Sequence, residues 1–101
     1  MDERVNEHLP MKAVLVRIEG RVQGVWYRGW AVQQAMSRGL RGWVRNRADG
    51  SVETLLAGSP AVVDAMLAEC RQGPPAALVS RITVQPAEVP SAPRFDALPT
   101  F

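Results

Sequence analysis

The stretch from Gly20 to Trp30, GRVQGVWYRGW, limits the fold of this chain more than any other segment. It follows Lys12 to Glu19, KAVLVRIE, whose β-branched and partly alternating residues are typical of a strand. It leads into Trp26 to Arg38, where apolar residues recur at helical spacing, and Gly39 stands where a C-terminal cap glycine belongs. The chain must therefore pass from a strand to a helix within the loop Gly20 to Val25.

The next segment is predicted to be a β-hairpin. Its strands are Gly42 to Arg47 and Ser51 to Ala57, joined by a turn at Ala48 to Gly50. Leu78 to Val84 is predicted as a fourth strand. The proline-rich tail is expected to be mostly extended or irregular, with a short edge strand from Arg94 to Leu98.

A second helix is predicted between the hairpin and the fourth strand. Ser59 fits its N-cap, Pro60 its first helical position, and Gly73 the point where it stops. Its apolar face comprises Val62, Val63, Met66, Leu67 and Cys70. The order strand–helix–strand–strand–helix–strand predicts an α+β fold of the ferredoxin-like type. Two helices would cover one face of a four- to five-stranded, largely antiparallel sheet, with the first and third strands at its centre.

The size and polarity of the chain limit the class of protein. Its 101 residues suit one domain, which we expect to span residues 11–101 after a polar leader at residues 1–10. No apolar run approaches the roughly 18 residues that a membrane span needs. The leader has no apolar core of the kind found in signal peptides. We therefore expect no membrane association and a cytoplasmic location.

Cysteine and histidine are too scarce for several kinds of active site. Cys70 is the only cysteine, and His8, in the polar leader, is the only histidine. A Ser/His/Asp triad, a Cys/His dyad and a histidine-based metal site are therefore excluded. The surroundings of Cys70, VVDAMLAEC, predict a small buried apolar side chain. We expect neither a metal nor another cofactor.

Positive charge is concentrated around the opening stretch. Residues 17–47 contain seven arginines and one acid, Glu19, which gives a local net charge of +6, although the whole chain carries only +2. Such a concentration favours an anionic partner, either a small phosphate compound or a nucleic acid. A solvated basic surface without a partner would have the same sequence pattern.

The loop between the first strand and the first helix is a candidate anion site. The first backbone N–H groups of a helix lack intrahelical partners and lie at the positive end of its dipole. Gly24 can adopt a positive φ that curls the loop around an anion. Arg28, in the first helical turn, has a planar guanidinium that can bind two phosphate oxygens. The alternative is that the glycines only form a tight turn, and no Walker A or G-x-G-x-x-G motif is present.

Asn46 is the second candidate site residue. It ends the second predicted strand, within WVRNRADGSVE, where an asparagine usually bonds its own turn. In the predicted fold, however, its side chain can project toward the strand–helix loop. Its amide can accept from a water and donate to a phosphate oxygen, which would hold that water in line for attack.

The motifs GRVQGVWYR and GLRGWVRNRADGSVE, at this spacing, resemble the acylphosphatase family. Gly58 and QGPPAALV also match, and the resemblance runs from about Ala13 to Val84. It implies a ferredoxin-like fold and the hydrolysis of acyl phosphates to a carboxylate and inorganic phosphate. One departure is Trp26, where many members have glycine, and this difference bears on loop shape and substrate preference.

The resemblance also implies roles for individual residues. Arg28 is implied to be the catalytic arginine that binds the phosphate, and Asn46 the residue that positions the attacking water. The backbone of the loop is implied to form the phosphate cradle, which comprises Gln23, Gly24, Val25, Trp26, Tyr27 and Arg28. Because a carboxylate leaves without a proton, no general acid is required, and phosphoryl transfer is mainly positioning and charge stabilisation. Acetyl, carbamoyl and aminoacyl phosphates share the same phosphate end, so all of them fit.

Two other classes of function are compatible with the predicted fold. An RNA-recognition sheet needs exposed aromatic residues on its central strands, and KAVLVRIE and SVETLLA have none. The alternative is a regulatory or carrier domain that binds phosphate or acyl phosphate without turnover. Asn46 argues against it, because binding alone needs no water-positioning amide. We therefore expect a monomeric enzyme that takes a small acyl phosphate, releases inorganic phosphate and binds no nucleic acid.

Overall fold

Two helices and five strands make up residues 10–101, the part of the chain that this computed structural model describes. In chain order the elements are β1 Lys12–Arg21, α1 Tyr27–Ser37, β2 Arg41–Asn46, β3 Val52–Gly58, α2 Pro60–Gln72, β4 Leu78–Pro86 and β5 Phe95–Ala97. This order confirms the ferredoxin-like α+β prediction. The predicted leader lies outside the described residues apart from Pro10, and so does His8.

The sheet has the order β4-β1-β3-β2-β5, which confirms β1 and β3 as its central strands. Neighbouring strands are antiparallel except β2 and β5, which run parallel. Val52 of β3 pairs with Ile18 of β1 on one side and with Asn46 of β2 on the other. The carboxyl ends of β1 and β2 therefore lie at the same end of the sheet. This register brings Asn46 close to the loop that follows β1.

Alternation along the strands divides the sheet into a covered and an open face. Val14, Val16 and Ile18 of β1 are buried in the core, whereas Leu15 and Arg17 between them are only partly covered. The helices contribute Tyr27, Trp30, Ala31, Ala35, Val63, Met66 and Cys70 to the same core. Full burial of each large aliphatic side chain stabilises the fold by about 1.5–3 kcal/mol. The apolar faces predicted for both helices are thus confirmed.

The end of β1 differs from the prediction. The strand continues to Arg21, two residues past its predicted end, because it keeps pairing with β4 across a register shift after Glu19. Gly20 has a φ of 128°, and a Cβ there would overlap the carbonyl oxygen of Leu78. Only glycine allows this close approach, and the bulge redirects the strand end. The connecting loop is therefore residues 22–26.

The ends of α1 have local causes. It begins at Tyr27, one residue later than predicted, because Trp26 adopts a left-handed conformation with a φ of 69°. It ends at Ser37, one residue earlier than predicted, in a Schellman motif. Gly39, with a φ of 67°, closes that motif, as its position in the sequence predicts.

The remaining boundaries differ by small amounts. Ser59 occupies the N-cap of α2 and Pro60 follows, but the Ser59 side chain makes no capping hydrogen bond. β4 extends two residues past its predicted end because Pro86 still pairs with Val14. The predicted edge strand is confirmed as the shorter β5, whose Phe95 is buried. Within the described residues, neither helix is long and apolar enough to cross a membrane.

Candidate active site

A cleft of about 360 Å³ opens where the loop after β1 meets the end of β2. Its walls are formed by Val22, Gln23, Gly24, Trp26, Tyr27, Arg28, Gly29, Asn46 and Ala97. The structure thus brings Arg28 and Asn46, predicted from separate motifs, to one cleft. Among the six predicted loop residues only Val25 does not line it, because its side chain packs against the core. The cleft is several times larger than the about 30 Å³ that one water occupies, which leaves room for a phosphate group.

The loop backbone supplies hydrogen-bond donors to this cleft. Gly24 has a φ of 74°, which confirms the predicted left-handed conformation there. The first backbone bond of α1 runs from the Trp30 N–H to the Trp26 carbonyl oxygen, at 3.0 Å. The N–H groups of residues 24–29 make no backbone hydrogen bond with any residue that the structure describes. The first turn of α1 also contains no acidic side chain. These donors lie at the positive end of the helix dipole, where an anion is stabilised.

Arg28 is half-buried in the first turn of α1 and lines the cleft. The ion pairs between described residues engage Lys12 and four arginines, none of which is Arg28. No carboxylate of residues 10–101 therefore competes for its guanidinium. An anion in the cleft would meet both this positive charge and the loop N–H groups.

Asn46 enters the cleft from the opposite side, at the end of β2. Its backbone carbonyl accepts a hydrogen bond from the Phe101 N–H at 2.9 Å, and the Phe101 carbonyl accepts from the Ala48 N–H at 2.9 Å. The Phe101 ring lies over the guanidinium of Arg45, 4.2 Å from ring centroid to Cζ. The C-terminal segment therefore holds the backbone of this strand end, and the Asn46 side chain faces the cleft.

Asp49, rather than Asn46, closes the hairpin turn. Its carboxylate accepts from the Ser51 hydroxyl at 2.6 Å and from the Ser51 N–H at 2.9 Å, and it pairs with Arg17 at 2.6 Å. The Ser51 bonds, and then Arg17, hold the pKa of Asp49 well below its usual range. The prediction that an asparagine here commonly bonds its own turn thus does not apply to Asn46.

Gln23 connects the loop to the hairpin. Its Nε2 donates to the carbonyl oxygens of Arg47 and Ser51, each at 2.8 Å. The Arg47 carbonyl directly follows Asn46, and the Ser51 carbonyl lies on the other side of the β2–β3 turn. Sequence reasoning placed Gln23 in the loop but did not find this side-chain role, since nothing local to the loop indicates which distant carbonyls it meets. The spacing between the loop and Asn46 is therefore set by a side-chain bridge.

Tyr27 connects the other end of the loop to α2. Its ring is buried, and its hydroxyl donates to the carbonyl oxygen of Cys70 at 2.6 Å. Burial raises the pKa of Tyr27 far above its usual value. Burial likewise raises the pKa of the Cys70 thiol to about 11, and the full burial of this residue confirms the prediction of a small buried side chain there. The first turn of α1, which carries Arg28, is thus attached to the end of the second helix.

Trp26 is the only residue other than glycine with a positive φ in residues 10–101. A left-handed conformation costs an ordinary residue about 1–2 kcal/mol. The indole is 57% exposed, so burial does not offset this cost. The five-membered ring lies over Gly29, where an added Cβ would overlap Nε1 and come within 2.7 Å of Cδ1. Gly29 therefore provides the space in which the Trp26 ring rests at the edge of the cleft.

Comparisons with known proteins agree on one family. A family model described as Acylphosphatase matches residues 14–97. A protein named Acylphosphatase from Rhodospirillum rubrum is 57% identical over 91 residues, which cover 90% of this chain and 100% of that protein. A solved acylphosphatase structure from Bacillus subtilis superposes with a TM-score of 0.83 at 31% identity, covering 88% of this chain and 99% of that one. Another, from Coxiella burnetii, gives a TM-score of 0.83 at 28% identity over 87% of this chain and 93% of that one.

Proposed function

This chain belongs to the acylphosphatase family, and we propose that Arg28, Asn46 and the loop Gln23 to Arg28 carry out the family's reaction in it. That reaction is the hydrolysis of an acyl phosphate to a carboxylate and inorganic phosphate. The observation that carries the proposal is the common cleft, in which an arginine and helix N–H groups that have no partner among residues 10–101 face the same space as an asparagine.

The phosphate group binds between the loop and Arg28. Backbone N–H groups of residues 24–28 donate to the phosphate oxygens, and the Arg28 guanidinium binds two of them in the planar geometry that suits phosphate. These donors also stabilise the charge that shifts onto the phosphate and the departing acyl oxygen as the bond breaks. Because the donors are held in place before the substrate arrives, little reorganisation is needed during the reaction.

Asn46 positions the water. Its amide oxygen accepts a hydrogen bond from the water, and its amide N–H donates to a phosphate oxygen. Holding the water on one side of the phosphorus, opposite the acyl oxygen, converts a bimolecular attack into an oriented one. Among residues 10–101, no carboxylate or histidine lines the cleft to serve as a base, and we therefore propose that the water proton passes to a phosphate oxygen of the substrate. The carboxylate product leaves without being protonated.

Hydrolysis of benzoyl phosphate by the wild type and single variants tests these roles. Arg28→Ala is expected to lower kcat/KM by at least about 10²–10³, the usual cost of losing one charge-stabilising donor, and to raise the inhibition constant for inorganic phosphate. Asn46→Ala should lower kcat with a smaller change in phosphate binding. Arg71→Ala is the matched control, because Arg71 is an exposed arginine on α2 outside the cleft.

Two results would contradict the proposal. Turnover that is unchanged in both Arg28→Ala and Asn46→Ala would show that the cleft is not the active site. A wild type that binds inorganic phosphate but never turns over would support a binding domain without catalysis.

The reaction is further proposed to need no metal ion and to take place in a monomer in the cytoplasm. Within residues 10–101 no three histidine, cysteine or acidic side chains are grouped to hold a metal, and Arg28 already supplies positive charge at the cleft. We expect full activity in EDTA and a monomeric mass by sedimentation. Loss of activity in EDTA would contradict the proposal that no metal ion is needed, and a dimeric mass would contradict the proposal of a monomer.

Nucleic acid is not proposed as a partner, despite the arginine-rich segment. On the open face of the sheet, Arg45 and Arg47 pair with Glu53 at 2.7 and 3.2 Å, and Arg17 pairs with Asp49 at 2.6 Å. Three of the seven arginines in residues 17–47 are therefore paired within the chain, and Arg28, unlike them, lines the cleft, where its guanidinium suits a small anion.

A further inference from the structure

The proposed roles leave one part of the cleft without a function. Arg28 is assigned to the phosphate and Asn46 to the water. The amide nitrogen of Gln23 donates to two carbonyl oxygens of the hairpin. The charged and amide side chains of the described cleft wall thus have roles at the phosphate, at the water or in the hairpin bridge, and the acyl group of the substrate has no assigned partner.

The remaining side chains of the cleft are apolar or aromatic. Val22 and Tyr27 are each only 1% exposed, so they present almost no surface to a ligand. Ala97 is exposed but contributes a single methyl group. Trp26 is 57% exposed and is the one large aromatic surface that the described residues contribute to the cleft wall. An acyl group that stays in the cleft therefore meets the indole of Trp26.

The position of this indole is fixed by its neighbours. Its five-membered ring lies over Gly29, the residue that directly follows Arg28. Its backbone is held left-handed between the loop and the first helical turn. A strained residue whose side chain is largely exposed gains little stability from packing, and such outliers cluster at functional sites. The ring is thus held open beside the group that binds the phosphate.

We propose that Trp26 is a specificity-determining residue whose indole receives the acyl group and favours acyl phosphates with a flat, apolar acyl group, such as an aryl carboxylate. This inference rests on the proposed function of the cleft. A flat acyl group can stack on the indole face or meet it edge-on, which adds to the gain from removing apolar surface from water. A small group such as acetyl covers little of the ring, and Arg28 is the one charged side chain among residues 10–101 that lines the cleft and could pair with a charged acyl group.

The test compares benzoyl phosphate with acetyl phosphate as substrates. For each protein the readout is the ratio of the two kcat/KM values, because intrinsic reactivity of the substrates cancels when ratios are compared between variants. Trp26→Gly and Trp26→Asn remove the indole and keep residue types that tolerate a positive φ. Trp26→Phe retains a flat ring. Trp43→Phe is the matched control, because Trp43 lies on β2 outside the cleft.

We expect the benzoyl-to-acetyl ratio to fall by a few-fold to about tenfold in Trp26→Gly and Trp26→Asn, which is the contribution of one aromatic pair. The fall should come mainly from a higher KM for benzoyl phosphate. Trp26→Phe should retain most of the ratio, and Trp43→Phe all of it. The inhibition constant of inorganic phosphate measures binding of the phosphate group alone, without the acyl group. In the Trp26 variants it should change less than the KM for benzoyl phosphate.

The outcomes separate this inference from the function on which it rests. A wild type that hydrolyses neither substrate overturns the proposed function and this inference with it. A wild type that hydrolyses both, with a ratio that stays the same in Trp26→Gly and Trp26→Asn, overturns this inference alone. Equal loss of both activities, together with weaker phosphate inhibition, would assign Trp26 to the cradle and likewise overturn a role in specificity.

Discussion

Gly29 is the residue on which the position of Trp26 depends. A side chain at residue 29 would overlap the indole nitrogen. Gly29→Ala is therefore expected to destabilise the protein by about 1–3 kcal/mol, as overpacking usually does. In a Trp26→Gly background the obstacle is absent, and alanine is the better helix former by about 1 kcal/mol, so the same change should be neutral or stabilising.

Urea unfolding of the four proteins in this double-mutant cycle measures the coupling between residues 26 and 29. A cost of Gly29→Ala that is the same in both backgrounds would show that the two residues do not contact each other in solution.

Asn46 allows a second prediction at the scale of one residue. Asn46→Asp keeps the shape of the side chain but removes the amide donor and adds negative charge beside the phosphate. We expect kcat/KM to fall by about 10² or more and the inhibition constant for inorganic phosphate to rise. A pH profile is the discriminating measurement, because activity should partly recover as pH falls toward about 4, where a carboxyl group becomes neutral.

Asn46→Ala is the control for this pH effect, since it has no group to protonate. If activity recovers at low pH in both Asn46→Asp and Asn46→Ala, the group that is protonated lies elsewhere in the enzyme.

At the scale of elements, Gln23 joins the strand–helix loop to the β2–β3 hairpin. Gln23→Leu removes both 2.8 Å hydrogen bonds and leaves the Arg47 and Ser51 carbonyls without this donor. Each carbonyl keeps a backbone donor, the Gly50 N–H for Arg47 and the Arg47 N–H for Ser51. The loss of two hydrogen bonds should therefore cost about 1–3 kcal/mol in total, at about 0.5–1.5 kcal/mol each. We expect kcat to fall because the loop and Asn46 lose their fixed separation. Enzyme kinetics and urea unfolding of the same samples check both effects.

Gln33→Leu is the matched control, because Gln33 is exposed on α1 and outside the cleft. Gln33→Leu should change neither kcat nor the free energy of unfolding. Equal kcat values and equal free energies of unfolding in the Gln23 and Gln33 variants would show that the Gln23 hydrogen bonds do not position the site.

The contact between α1 and α2 predicts a loss of stability in alkali. In the unfolded chain a tyrosine ionises near pH 10 and a cysteine near pH 8.5, but burial raises the pKa of both Tyr27 and Cys70 in the fold. Above about pH 9 the unfolded chain therefore binds fewer protons than the folded one, and the free energy of unfolding falls as pH rises. Below that range Tyr27 and Cys70 are neutral in both the folded and the unfolded chain, so their ionisation does not lower the free energy of unfolding.

Urea unfolding between about pH 8 and pH 10.5 measures this decline. Tyr27→Phe should be less stable at neutral pH by about 0.5–1.5 kcal/mol, the net worth of one hydrogen bond, and its stability should decline less steeply in alkali. A decline as steep as that of the wild type would exclude Tyr27 as one of its causes.

At the scale of the whole molecule, the fold could be predicted from the sequence, and so could the two candidate residues that share the cleft, Arg28 and Asn46. Strand alternation, helical spacing and the cap at Gly39 depend on local chemistry, and the structure confirms them. The family motifs made Arg28 and Asn46 candidates, and the antiparallel register then brings both to one end of the sheet.

Other features depend on contacts that the sequence does not reveal. The left-handed conformation of Trp26 requires space over Gly29, and the bridge from Gln23 requires carbonyls more than twenty residues away. The ends of β1 and β4 extend past their predicted limits because the two strands support each other. Tertiary pairing, rather than local propensity, decides such details.

The strand order also determines when the enzyme becomes active during folding. Every sheet neighbour except the β2–β3 hairpin joins segments that are distant in the chain, and the cleft draws on residues from Val22 to Ala97. Pairing of distant segments is the slow part of folding, whereas helices form quickly. We therefore expect far-ultraviolet circular dichroism to recover before turnover when denaturant is diluted. Catalysis would then report a late step of chain assembly, because the cleft is complete only once β1, β2 and β5 are joined in one sheet.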